Sequence, residues 1–173
     1  MTTVVYKNGV MASDSLVCDS QAKMWGNTPK IAKLGDGSLI GACGNLRICQ
    51  AWFRWMQAGL PEGQWPVQLL NNDKTEFTGI HVTLDRRVLY YHFETITTEV
   101  NFDFHAIGSG QDIAFGALAM GATVQETIEV VSRFDAYTGG AIQMLHLGPT
   151  CATLPNASNR PVRKRKAVRP AIV

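Results

Sequence analysis

The chain has 173 residues, enough for one domain with a sizeable core. Its apolar share of 46% is that of an ordinary globular protein, and no apolar run approaches the ~20 residues of a membrane span. The net charge of +2 is unevenly placed: Arg160–Arg169 carries six basic residues and no acidic one, so the remainder is mildly acidic. The N-terminus has no basic stretch followed by an apolar segment, which argues against a secretion signal. The four cysteines, Cys18, Cys43, Cys49 and Cys151, include no Cys-x-x-Cys and outline no disulfide framework. They read as reduced thiols in a cytoplasmic protein.

In chain order, Thr3–Tyr6 and Val10–Ser13 read as strands joined at Lys7-Asn8-Gly9, because Asn-Gly tolerates the positive φ of a tight hairpin. Val17–Met24 reads as a further strand, with Trp25–Pro29 as a loop. Ile31–Leu34 and Ser38–Cys43 form a second hairpin across Gly35-Asp36-Gly37. Leu46–Ala58 reads as a helix with Asn45 as N-cap and Gly59 at its C-terminal end. Its apolar positions exceed one stripe, which predicts burial around most of its circumference, by core or by a neighbouring subunit. Trp52 and Trp55 read as packing residues. Pro61 and Pro66 interrupt the next stretch, leaving Val67–Asn71 room for a helix of one or two turns.

Thr78–Leu84 and Val88–Glu94 alternate and flank the turn Asp85-Arg86-Arg87. Thr95–Val100 and Asp103–Ile107 return the chain to Gly108-Ser109-Gly110, where Gln111–Met120 begins a helix that ends at Gly121. The next helix opens on the capping box Thr123-x-x-Glu126, with Val124, Ile128, Val131 and Phe134 on one face. Ala141–Leu147 is the last strand. The domain spans residues 1–154. Residues 155–173 form a basic tail, read as disordered or extended and as a solvated segment in preference to a nucleic-acid-binding arm. His81, His92, His105 and His146 lack metal-ligand spacing, and no metal or other cofactor is expected. His81 and His92 read as interfacial or core polar residues.

The residue that can carry chemistry is Thr2. Removal of Met1, usual before a residue this small, leaves a hydroxyl and a free α-amine on one residue. A hydroxyl is a weak nucleophile unless a base takes its proton. An α-amine titrates near ~8 and is partly neutral at pH 7, so it can be that base.

Thr2, Asp14, Lys30 followed by Ile31, the strand Ser38–Gly44 with Gly41-x-x-Gly44, Gly108-Ser109-Gly110 opening a helix, and Asp135-x-x-Thr138-Gly139-Gly140 occur in that order. The order resembles the proteasome β-subunit family of N-terminal nucleophile hydrolases, including the bacterial HslV-type peptidases, over about Thr2 to Leu147. The resemblance implies an α+β, four-layer αββα sandwich of two mainly antiparallel sheets, here with a shortened second helix. It implies a threonine peptidase in which Thr2 attacks a peptide carbonyl and Lys30, held by Asp14, sits beside it. It places the oxyanion-binding N–H at Gly41 or its neighbour Ala42, with Gly44 as a close-packing glycine. It also implies that Ser109, supported by Asp135 and Thr138, holds the amine, a role compatible with capping the adjoining helix. Cys18 would line the first substrate pocket. The first hairpin is about two residues shorter per arm than is usual in the family. Removing two from each strand keeps side-chain parity, so Thr2 and Asp14 still face one cleft.

Family members close into rings that hide the nucleophile, so the resemblance implies a homo-oligomeric ring acting on peptides or unfolded proteins, with an ATP-dependent unfoldase as possible partner and no membrane association. The competing reading is a catalytically inactive structural or docking subunit, suggested by the thinned helical layer and the basic tail.

Overall fold

The computed structural model describes residues 2–19, 22–25, 28–60, 76–92, 97–100 and 102–148. The expected short second helix at Val67–Asn71, Cys151 and the basic tail lie outside these residues. Two antiparallel sheets form the centre. One has the strand order β10-β1-β2-β11, where β1 is Thr3–Lys7, β2 Val10–Ser13, β10 Phe104–Gly108 and β11 Gln143–His146. The other runs β5-β6-β7-β8-β9, comprising Ile31–Lys33, Leu39–Gly44, Phe77–Val82, Val88–Tyr91 and Thr97–Val100. Helix α1 (Leu46–Gln57) covers the second sheet, and α2 (Gln111–Ala119) and α3 (Val124–Phe134) cover the first.

Strand periodicity generates the layers, since neighbouring side chains point to opposite faces. In β1, Val4 and Tyr6 face the other sheet while Val5 faces α3. In β6, Leu39 and Cys43 enter the space between the sheets while Ile40 and Ala42 turn to α1. The result is three stacked cores. Met11, Ile80 and Ile107 fill the middle one, Trp52 and Phe77 the α1 side, and Leu118, Ile128 and Val131 the α2–α3 side. This is the αββα sandwich expected from the sequence.

The local signals act as anticipated at several points. Asn8 (φ 53°) and Gly9 (φ 82°) form a two-residue turn between β1 and β2. The Asn45 side chain accepts the Arg47 N–H at 3.0 Å, and Gly59 follows the α1 cap residue Ala58 with φ 81°. Both halves of the Thr123–Glu126 capping box are present.

Three expectations need correction. Val17–Met24 is not one strand. β3 (Leu16–Asp19) and β4 (Ala22–Trp25) pair antiparallel as a separate two-stranded ribbon that takes in Trp25. β3 ends at Asp19, a residue type that favours turns over strands. Within the single chain, helix α1 is not buried around most of its circumference. It buries Ile48, Cys49, Trp52 and Met56, whereas Leu46 is exposed and Phe53 and Trp55 are half-buried. At 3.6 residues per turn those four positions share one stripe, and one sheet suffices to cover it. Phe134 does not share the core face of α3. It is 75% exposed, and Thr127 is buried on that face with Val124, Ile128 and Val131. Thr127 is accommodated because its hydroxyl donates to the Thr123 carbonyl at 2.7 Å. His81 is half-buried and bonded to Ser38 Oγ at 3.0 Å, while His92 is exposed and stacks on Tyr90.

Candidate active site

The β1–β2 hairpin sets Thr3, the residue after Thr2, beside Asp14. β1 and β2 pair through Val4 and Ser13, so the next residues out, Thr3 and Asp14, lie side by side. Thr2 is 7% exposed, and its carbonyl accepts the Ser109 N–H at 3.0 Å. Thr3 N–H donates to Asp14 Oδ1 at 3.0 Å.

Asp14 is fully buried and is a centre of charge compensation. Both its oxygens receive Lys30 Nζ at 2.9 Å, and Oδ2 also accepts the N–H groups of Leu16 and Gly139, each at 3.1 Å. Lys30, also buried, makes its third bond to the Leu16 carbonyl at 2.6 Å. An ammonium has three donors, and all three are used. Burial pushes the Lys30 pKa down, and the Asp14 charge and hydrogen bonds oppose that shift without cancelling it.

A second group of polar side chains lies on the other side of Thr2. Ser109 Oγ donates to Asp135 Oδ2 at 2.7 Å, and Thr138 Oγ1 donates to the same oxygen at 2.5 Å. Helix α2 has Gly110 as its N-cap with no side-chain cap bond, so Ser109 is not a capping residue. Its hydroxyl is directed to Asp135. Thr2, Asp14, Lys30, Ser109, Asp135 and Thr138 thus form two hydrogen-bonded groups flanking the second residue of the chain.

Two cavities meet at Thr2. One, about 240 Å³, is lined by Cys18, Lys30, Ala42, Cys49 and Phe53 among others. The other, about 390 Å³, is lined by Cys43, Glu76, Thr78, Ser109 and Gln111 among others. Gly44 borders both. Cys18 is therefore in the wall of a cavity that Thr2 shares.

Gly41 is elsewhere. It borders neither cavity, and a Cβ there would point into the core between the sheets, 2.8 Å from Val4 Cγ1. Ala42 also fails as an oxyanion donor, because its N–H is spent on the Lys30 carbonyl at 3.1 Å. The donor that faces the cleft follows from strand geometry. N–H groups alternate sides along a strand, so Gly44 directs its N–H to the same side as Ala42. Asn45 N–H, bonded to the Glu76 carbonyl at 2.8 Å, points the other way and fixes the phase. On the Ala42 side β5 has already ended, and Gly44 N–H faces the cleft. Gly44 is also closely packed, since a Cβ would meet the Glu76 carbonyl oxygen at 2.1 Å.

Sequence reasoning read Gly44 as a packing glycine, with no cleft-facing N–H, and did not bring Thr3 to the site. Counting donor parity back from Asn45 would have identified the first. The second was signalled by a hydroxyl on the β1 face that also carries the buried Val5. Among the described residues, no group of three or more His, Cys, Asp or Glu side chains converges as a metal site would require.

Paired sheets between helices, with the N-terminal hairpin opening into a cleft, make this the fold of the N-terminal nucleophile hydrolases. Solved structures agree. The chain superposes on Thiobacillus denitrificans BPH in complex with epoxomicin with a TM-score of 0.61 and 18% identity, covering 86% of this chain and 99% of that one. It superposes on eukaryotic HslV from Trypanosoma brucei with a TM-score of 0.59 and 16% identity, covering 84% and 98%. A second Thiobacillus denitrificans BPH structure gives 0.56 and 17%, covering 86% and 98%. No protein-family model matches the sequence. No curated protein sequence matches it.

Proposed function

We propose that the chain is a threonine peptidase whose nucleophile is Thr2 once Met1 has been removed. The observation that carries this reading is the buried Asp14–Lys30 pair, whose Lys30 lines a cavity shared with Thr2. Burying two charges costs several kcal/mol per ion, and a fold seldom bears that cost where it has no use. In the proposed reaction Thr2 passes its hydroxyl proton to its own α-amine and attacks the scissile carbonyl. Gly44 N–H receives the developing oxyanion, a contact of the kind worth about 3–4 kcal/mol. The Lys30 charge lowers the proton affinity of the neighbouring amine and stabilises the negative charge. The amine then protonates the leaving group, and water hydrolyses the ester. The epoxomicin-bound neighbour supports the same reading, because an epoxyketone condenses with a hydroxyl and an amine on one residue. Self-assembly belongs to the proposal too. Met120, Phe134 and Phe102 are apolar side chains exposed on the single chain, and contact with further copies would remove them from water.

Cavity chemistry sets the expected substrate preference. The leaving group must lie toward the amine and Ser109, so the residue donating the carbonyl enters the cavity of Cys18, Ala42, Cys49 and Phe53. Lys30 has no donor left for an acidic side chain there, and no carboxylate among the described lining residues would pair with a basic one. Peptides presenting Leu or Met to this pocket are therefore expected to have kcat/KM at least about a hundredfold above their Arg or Asp counterparts. The deciding experiment is hydrolysis of such a fluorogenic series by protein whose intact mass lacks Met1. A processed protein that cleaves none of them refutes the peptidase reading. Leu46→Glu, at the exposed mouth of the pocket in the first turn of α1, should raise the Arg-to-Leu ratio about tenfold.

A further inference from the structure

Among the described residues, Thr3 is the one hydrogen-bonded to both polar groups of the site, and nothing in the chemistry assigned so far uses its side chain. Its backbone N–H serves Asp14. Its hydroxyl, fully buried, lies 2.6 Å from Thr138 Oγ1 and accepts the Gly110 N–H at 3.2 Å. The approach to Gly110 depends on the missing side chain, because a Cβ at that position would stand 2.6 Å from Thr3 Oγ1 and 2.2 Å from Val131 Cγ1.

The direction of each proton follows from what each group can do. A carboxylate accepts, so Thr138 and Ser109 both give their protons to Asp135 Oδ2. Thr138 has then no proton left, and Thr3 must donate to it. Thr3 in turn can accept, which the Gly110 N–H satisfies. The chain of bonds runs one way from Gly110 N through Thr3 Oγ1 and Thr138 Oγ1 to Asp135. Ser109 donates its proton to the same carboxylate oxygen, so its lone pairs are turned away from Asp135.

We propose that Thr3 is a positioning residue for the peptidase reaction. It fixes Thr138 and Asp135 so that Ser109 offers an acceptor, and not a proton, to the Thr2 α-amine. The inference rests on the reading of processed Thr2 as nucleophile. An acceptor of this kind favours the protonated amine and orients the neutral one toward the Thr2 hydroxyl. The titratable groups around Thr2 are Lys30 and Asp14 at strand ends, Cys18 on β3, Cys49 on α1, Cys43 and Glu76 flanking the β6–β7 ladder, and Asp135 after α3. Of these only Asp135 is bonded to the Thr3 hydroxyl network. Replacing that hydroxyl leaves the Asp14–Lys30 pair and its backbone bond from Thr3 in place.

The test compares Thr3→Val, which keeps the branched shape, with Thr3→Ser, which keeps the hydroxyl. Rates are normalised to the fraction of sites labelled by an epoxyketone. Thr3→Val should lower kcat about tenfold with KM little changed, and the acid limb of kcat/KM should move down by about half to one pH unit. Thr3→Ser should restore the limb to its wild-type position. Should Thr3→Val fail to fold because the Gly110 N–H loses its acceptor, Thr138→Val cuts the next link and should give the same displacement. Wild-type kcat and an unmoved limb in the folded variant overturn the inference, as does a Thr3→Ser enzyme that behaves like Thr3→Val. A processed wild-type chain with no turnover on any peptide refutes the parent reading, and this inference falls with it.

Discussion

Thr2→Ala is expected to abolish peptide hydrolysis and epoxyketone labelling while leaving the fold unchanged. The substitution removes the only atom proposed to bond the substrate covalently, and no second hydroxyl replaces it. Thr3 Oγ1 is bonded to Thr138 and Gly110, and Ser109 Oγ is committed to Asp135. Loss of a nucleophile typically lowers kcat by about 10⁶-fold. Stability should change little, because the backbone carbonyl of residue 2 still accepts the Ser109 N–H. A chain that keeps Met1 should be equally inactive, because its amine sits one residue away from the hydroxyl. The two cases separate by intact mass. An active Thr2→Ala protein would place the nucleophile elsewhere.

Lys30→Ala has two consequences that must be measured apart. Turnover should fall at least about a hundredfold, as expected when a charge aimed at the transition state is removed. Stability should fall as well, by up to about 3–5 kcal/mol, because Asp14 keeps its charge in a buried site. The N–H groups of Thr3, Leu16 and Gly139 remain on Asp14 and moderate that loss. Activity per folded molecule, with a urea titration for stability, distinguishes the two effects. The pH profile adds a signature. Because burial lowers the Lys30 pKa, the alkaline fall in kcat should lie below the ~10.4 of an ordinary lysine and disappear in Lys30→Ala. The linked stability runs the other way. Between the lowered folded pKa and the ordinary unfolded one, the unfolded chain holds more protons, so stability rises with pH across that window. An alkaline limb unchanged by Lys30→Ala would assign it to another group.

Much of the architecture could be read from the chain because the signals were local. Asn8-Gly9 specifies its own turn, and Thr123 with Glu126 specifies its own helix start. The order of Thr2, Asp14 and Lys30 was legible as a resemblance, and the β1–β2 ladder sets Thr3, next to Thr2, beside Asp14. The errors arose where the answer depended on a partner. Whether Phe134 is core or surface depends on where α3 meets its sheet. How much of α1 is buried depends on what covers it. The resemblance puts the oxyanion-binding N–H at Gly41 or Ala42, whereas which N–H faces the cleft depends on which side of β6 it lies on relative to where β5 stops. Thr3 was missed because its value lies in bonds to residues 107 and 135 positions away.

On the proposed reading, the groups around the Asp14 carboxylate decide when the chain becomes active. Its ligands come from residue 3, residue 16, residue 30 and residue 139, the last 125 positions downstream. On the proposed reading, removal of Met1 frees the Thr2 amine, but a chain still on the ribosome cannot complete the cage around Asp14, nor supply Asp135 to Ser109, until nearly the whole domain has been made. Catalytic competence on that reading is tied to completion of the domain, and a half-made chain with a free terminal threonine would be silent toward the unfolded polypeptides around it.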